Sequence, residues 1–197
     1  MGRRSKIMTR SSEAYLSKLD LSFRPKDFDF LSVLADLGSI SYPSSRNLRP
    51  GGWVESQDIF PNIGCDDGTV PADWPPRRFY DTCDQVFSST YGFDIKFVEH
   101  LPQDLERIGF VNVQRKVYHI PLGEWAKDAN LRVIGGFLKE IFLDLVAVMA
   151  TKPFIEAGLD RDDIDELVHS TRAAVNNKRF HAYIPVHFVW AQKPFTA

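Results

Sequence analysis

The sequence predicts an α/β fold, a small sheet flanked by helices. Three observations carry that reading. Short apolar or alternating runs at residues 28–34, 53–59, 110–120 and 182–192 have strand character. Helical spacing of apolar residues fills most of the chain between the later runs. Turn residues, above all Pro50-Gly51-Gly52, punctuate the segments, because Pro presets one backbone angle and Gly tolerates positive φ.

A chain of 197 residues, 44% hydrophobic and 25% charged, has the bulk properties of one globular domain. The net charge of -2 gives no electrostatic reason to expect nucleic acid or an anionic membrane as a partner. Cys65 and Cys83 make neither a disulfide framework nor a metal knuckle, which suits a reducing, cytoplasmic setting. The start, MGRRSKIMTRSS, is basic and acid-free, and reads as a poorly ordered tail over residues 1–26 or as an organelle transit peptide. Lys6 breaks the myristoylation pattern. The most apolar run, Val133 to Ala150, is interrupted by Lys139, Glu140 and Asp144, so it is not a membrane span.

Taken in order, Phe28 to Leu34 follows a Pro-Lys-Asp turn and reads as a buried strand, and Gly38 to Asn47 as a loop. Trp53 to Ile59 is the second strand candidate. The proline-rich residues 60–78 form an irregular connection containing Gly64-Cys65-Asp66-Asp67-Gly68. Phe79, Cys83, Val86 and Phe87 are spaced for a helix over 78–89, and Leu101 to Phe110 for a short helix ended by Gly109. Residues 110–120 alternate, with Val111, Val113 and Val117 on one parity. A long helix from about Asn130 is expected to bury Leu131, Ile134, Leu138, Ile141, Leu145 and Val148. Asp160 caps the next helix, whose stripe is Ile164, Leu167, Val168, Thr171 and Val175. An aromatic strand from Ala182 to Gln192 closes the chain.

NLRPGGWVESQD resembles the turn that leads into the fifth strand of class I S-adenosylmethionine-dependent methyltransferases. FDFLSVLADLGSI is similar to the fourth strand and following loop of the LaeA-like subfamily of fungal secondary metabolism. LERIGFVNVQRKVYHIPLGEWAKDANLRVIGGF resembles that subfamily's sixth-strand segment, and HAYIPVHFVWAQKP its seventh strand. The likeness covers roughly residues 27–194. It implies an incomplete Rossmann-like methyltransferase sheet, made of strands resembling the fourth to seventh, with residues 27–197 as the C-terminal portion of the domain. It also implies S-adenosylmethionine as cofactor, a small-molecule acceptor, and a cytoplasmic or nuclear setting.

In such enzymes a Gly-rich turn after the first strand approaches the cofactor. Residues 1–26 hold no G-x-G-x-G, and three βα units need on the order of 90 residues at about 30 per unit. Ser32 and Ala35 stand where the family usually carries His and Arg, and the helix before the fifth strand is cut to SYPSSRNLR. The expectation is therefore an impaired methyltransferase, with a non-catalytic methyltransferase-like binding protein as the alternative. An unpaired fourth strand would leave residues 28–34 as an apolar edge, which predicts a homodimer or partner contact there.

The candidate site residues are few. Asp58 falls at the end of its strand, where open α/β sheets place ligands. It reads either as a carboxylate for a substrate hydroxyl or as a solvent-facing strand-end acid. His100 and His119, each without a visible partner, read either as proton acceptors or as structural or surface residues. Trp53, Trp74, Trp125 and Trp190 line either an acceptor pocket or the core. No His, Cys, Asp and Glu residues have metal-ligand spacing, and no cofactor-binding residues are identifiable.

Overall fold

A computed structural model of the chain describes residues 48–150 and 152–195. The fourth-strand segment 28–34, Ser32, Ala35, the loop at 38–47 and the basic segment 1–26 lie outside the described residues. The described elements run β1 (Trp53–Ile59), α1 (Pro75–Val86), α2 (Leu101–Arg107), β2 (Val111–Pro121), α3 (Ala129–Met149), α4 (Lys152–Glu156), α5 (Arg161–Asn176) and β3 (Tyr183–Gln192). One π-helical turn, Phe87–Tyr91, extends α1, and a 3-10 turn, Phe97–Glu99, precedes α2.

The three strands form one sheet in the order β1-β3-β2. β3 is antiparallel to both neighbours, with Trp53 opposite Gln192 and Ile59 opposite Val186 on one side. On the other side Pro121 pairs with Tyr183. β1 and β2 therefore point the same way and end at the same edge of the sheet, where β3 begins. The fold class is α/β, as the sequence predicts.

Local sequence explains each strand. β1 alternates, with Trp53, Glu55, Gln57 and Ile59 exposed and Val54, Ser56 and Asp58 half-buried. β3 is buried on both faces, with Ile184 on one and His187, Val189 and Ala191 on the other. Central strands read as continuous apolar runs for this reason. Val189 and Ala191 pack against Val98, Leu101, Leu105 and Phe110 from the α2 region. β2 departs from its expected parity. A bulge between Val111 and Gln114, with Asn112 at φ 52°, shifts the register, and Val111 and Val117 are exposed.

The Pro-Gly-Gly turn is fastened to the far end of β3. The Gly51 amide donates to the Lys193 carbonyl at 2.9 Å, and the Lys193 amide to the Gly52 carbonyl at 2.8 Å. Gly51 adopts φ 78°, and a Cβ there would lie 2.4 Å from the Phe195 ring. Glycine is required on both counts.

The helices build a second, aromatic core. Phe79, Phe142 and Phe154 are fully buried and meet edge-on or tilted, with ring centroids 5.9 to 6.0 Å apart. The high Phe content thus goes into packing, at about 1.5–3 kcal/mol per buried side chain. α1 starts three residues before the expected Arg78, because Pro75 and Pro76 suit the first helical turn. α5 is capped by Asp160, which accepts from the Asp162 amide, and it buries Ile164, Leu167, Thr171 and Val175 as expected.

α3 has the expected span but a different buried face. Gly135, Leu138, Phe142, Val146 and Met149 are buried, while Leu131, Ile141 and Val148 are exposed. Apolar residues surround this helix, so periodicity alone does not choose the face. Gly135 chooses it. The Gly123 amide donates to the Gly135 carbonyl at 3.0 Å, and a Cβ on Gly135 would lie 2.1 Å from the Gly123 oxygen. Only glycine lets the loop after β2 lie directly on the helix.

Two adjacent substitutions test this contact. Ala normally stabilises a helix by up to about 1 kcal/mol over Gly. Gly136→Ala should show that gain, because its Cβ would meet only the flexible Glu124 side chain, at 3.4 Å. Gly135→Ala should instead destabilise by roughly 1–3 kcal/mol through overpacking. Urea denaturation of both variants measures the difference, and equal effects would remove the close-approach explanation.

Candidate functional site

The C-terminal ends of β1 and β2 meet the start of β3, and side chains from four segments converge there. Gly64, in the loop after β1, exchanges two backbone hydrogen bonds with Tyr183, each 2.9 Å. A Cβ on Gly64 would overlap the Tyr183 ring at 2.1 Å, so the loop rests directly on that side chain. This contact delivers the next residues, Cys65-Asp66-Asp67-Gly68-Thr69, to the sheet end.

Asp67 is the centre of the cluster. Its Oδ1 accepts from the Thr69 amide at 3.1 Å, the Thr69 hydroxyl at 2.8 Å and the Cys65 thiol at 3.2 Å. Its Oδ2 faces Nδ1 of His181. The His181 amide donates to Thr69 Oγ1 at 2.9 Å, which closes the loop onto the chain entering β3. The bond to His181 first, and then those from Thr69 and Cys65, hold the Asp67 carboxyl well below the usual carboxylate range. An ionised carboxylate only accepts, so Nδ1 carries a hydrogen, and in the neutral form of the ring Nε2 is the lone-pair nitrogen.

Aromatic rings frame this dyad. Trp125, from the loop after β2, stacks on His181 at 5.0 Å and 27°, and its Nε1 donates to the Ala182 carbonyl at 2.7 Å. Tyr183 donates its hydroxyl to Asp66 Oδ1 at 2.9 Å. Burial and then Asp66 push the Tyr183 phenol up. His119 stacks on the Tyr183 ring with centroids 4.0 Å apart. The side chains of His181 and Asp67 are 39% and 47% exposed, so the dyad is open to an arriving molecule.

The three residues named from sequence do not come together. Asp58 lies within β1 rather than at the cluster, opposite His187 in the register. From His187 to Tyr183 is four residues of β3, roughly 13 Å at about 3.3 Å per residue. Asp58 is half-buried rather than solvent-facing, accepts from Ser56 at 3.2 Å, and burial pushes its carboxyl up to about 6. His187 is 6% exposed, its Nδ1 has no hydrogen-bond partner, and its ring lies 5.3 Å from Phe60. Burial, and next the Arg115 charge, hold its pKa down.

His100 is exposed at the start of α2, where its carbonyl accepts from the Asp104 amide at 3.1 Å, which is a backbone role. Only His119 of the three joins the cluster, and it does so as a stacking ring. Among the tryptophans, Trp74 is buried, Trp53 is 52% exposed, Trp190 is half-buried, and Trp125 alone belongs to the site.

Asp66, Asp67, Thr69, His181 and Tyr183 escaped the sequence reading, which took 60–78 as connection only. Two signals were present. Asp-x-Thr is a local hydrogen-bonding pattern that fixes a turn. His181 and Tyr183 flank the buried Ala182 with the period of a strand, so they share a face. Among the described residues no group of His, Cys, Asp and Glu is arranged to hold a metal ion. Among them too, no helix is long and apolar enough to cross a membrane.

No protein-family profile matches the sequence. Individual proteins do. The chain is 26% identical over 164 residues to methyltransferase cpsF of Aspergillus campestris, covering 79% of this chain and 57% of that protein. It is 26% identical over 151 residues to the protein-methionine methyltransferase laeA of Emericella nidulans, covering 75% of this chain and 40% of that one. With methyltransferase pytC of Aspergillus terreus it shares 25% over 154 residues, 76% of this chain and 46% of the relative. The chain spans about half the length of the curated relatives it matches. Among solved structures, a Haemonchus contortus phosphoethanolamine N-methyltransferase 2, in complex with phosphomonomethylethanolamine and S-adenosylhomocysteine, is 18% identical. That likeness has a TM-score of 0.31 and covers 81% of this chain and 30% of the other.

Asp58 supplies a pH prediction. A carboxyl whose folded pKa stands above its unfolded value holds its proton more tightly in the folded state. That contribution is complete below about pH 4 and is lost as pH rises through about 6. Asp58→Asn should therefore gain roughly 1–2 kcal/mol over the native protein near pH 8, allowing for partial solvation, and almost nothing near pH 4. Urea denaturation at the two pH values measures this; an equal gain at both would refute it.

Proposed function

Because the chain is related to the LaeA-like methyltransferases over most of its length, we propose that it supplies the acceptor side of a methyl transfer. The donor is S-adenosylmethionine and the acceptor a small-molecule secondary metabolite. One observation of the fold supports this most directly. The Asp67–His181 cluster stands where β1 and β2 end, the edge at which open α/β sheets bind ligands. A carboxylate-held imidazole with an open nitrogen suits an acceptor that must give up a proton.

The cofactor side is different. A methionine cradle needs glycines between a strand and a helix, where the backbone approaches the ligand. The described glycines with positive φ are Gly51, Gly68, Gly92, Gly109, Gly123 and Gly158. Gly51 lies against Phe195, and Gly92 and Gly109 close helical turns. Gly68 and Gly123 do lie between a strand and a helix, but each stands well before the helix begins, and Gly123 is bonded to Gly135. The 197 residues contain no G-x-G-x-G. The described residues do not fit S-adenosylmethionine.

That mismatch gives the alternative its support: a methyltransferase-like protein that binds a small molecule or partner without transferring a methyl group. Calorimetric titration of S-adenosylmethionine into the purified 197-residue chain separates the two. The expected outcome is no binding at micromolar cofactor. A micromolar Kd, with methylation of an added acceptor, would establish a self-sufficient enzyme instead.

A further inference from the structure

His181 has one nitrogen engaged and one free. Nδ1 is tied to Asp67, one ring face is covered by Trp125, and among the described residues none is hydrogen-bonded to Nε2. The backbone amide of the same residue is pinned by Thr69, so both the ring and its main chain are fixed. A histidine held in this way is oriented and tautomerically set before any ligand arrives, which is the arrangement a proton acceptor needs.

The surroundings narrow the ligand. Two stacked ring pairs stand at the sheet end, Trp125 on His181 at 5.0 Å and His119 on Tyr183 at 4.0 Å, with His181 and Tyr183 two residues apart on the chain. Aromatic side chains grouped in this way suit a flat aromatic molecule, which they can take by offset stacking. The carboxylates nearby are already committed, Asp66 to the Tyr183 hydroxyl and Asp67 to four donors. A neutral hydroxyl needs only the Nε2 lone pair of a neutral His181 ring. The other ionisable groups of the cluster are Cys65, which donates to Asp67, Tyr183, which donates to Asp66, and His119, which stacks on Tyr183.

We propose that this cluster is a binding site for a planar aromatic hydroxyl compound, a phenol or its polycyclic equivalent, with His181 as proton acceptor and Asp67 as its positioning residue. The phenolic O–H bond breaks, its electron pair stays on oxygen, and the proton passes to Nε2. The imidazolium so formed is stabilised by the Asp67 carboxylate. The proposal deepens the acceptor-side reading and rests on it, but the proton transfer itself requires no cofactor.

The test uses the whole chain and 4-nitrophenol, whose phenolate absorbs in the visible, buffered below the probe's own pKa. Quenching of Trp125 fluorescence reports binding, and the visible band reports proton transfer. The native chain should bind the probe and develop the phenolate band. His181→Gln should keep the quenching and lose the band. Asp67→Asn should raise the pH at which half the bound probe is phenolate by about one unit, a tenfold weaker base. Circular dichroism of each variant establishes that it is folded, and Trp125→Leu should abolish the quenching assigned to the site.

No binding by the native chain, a band unchanged in folded His181→Gln, or displacement of the probe by tetramethylammonium would each overturn the proposal. Cofactor titration is a separate measurement. A chain that never binds S-adenosylmethionine can still pass this test, and one that binds it can still fail.

Discussion

β3 enters the sheet between β1 and β2 and pairs antiparallel with both, and nearly every other feature depends on that double pairing. Without it, β1 has no neighbour among the described strands, and a lone strand or hairpin is marginal in water. With it, the two outer strands run parallel and discharge their following loops at one edge. The same pairing fixes both ends of the chain path. At one end β3 receives the Pro-Gly-Gly turn through Gly51 and Gly52; at the other it receives Gly64 through Tyr183. The Asp67 loop and the Trp125 loop reach His181 only because Tyr183 and Ala182 hold them there.

The packing follows from the same strand. Val189 and Ala191 seat the α2 region on one face, and Ile184 is buried on the other. The loop that leaves β2 beside Tyr183 then lies on α3 through Gly123 and Gly135. Two glycines that look like helix defects or idle turn residues, Gly135 and Gly64, are where backbone and ring must approach closest. Glycine ordinarily weakens a helix by about 1 kcal/mol, so its presence inside α3 is explained by the contact and by nothing local.

The elements were legible from sequence because their signals are local. β1 and α5 match their expected patterns residue for residue or nearly so, and the Asp160 cap needed only its own helix to be read. The buried face of α3 and the parity of β2 were not legible. Each is decided by a distant partner, Gly123 in one case and the bulge opposite β3 in the other. The site divides in the same way. Asp58 and His119 were found by residue type and strand position, but the dyad joins residues 114 positions apart. No spacing rule links a turn aspartate to a histidine that only the β3 pairing brings near. The family resemblance located the three described strands and said nothing of this cluster.

The molecule holds two Asp and His combinations, and their environments drive them in opposite directions. Asp58 and His187 face each other across β1 and β3, and burial pushes the acid up and the base down, so each is drawn toward its neutral form. Asp67 and His181 stand at the surface, where four donors drive the acid down and keep it charged. Charge stabilised at the surface can meet a proton from an incoming molecule without disturbing the fold. His187 is 6% exposed and Asp58 half-buried, so a ligand reaches that pair less readily. The proposed proton exchange with a ligand therefore falls to the sheet end, and Asp58 bears on the stability of the strand that leads there.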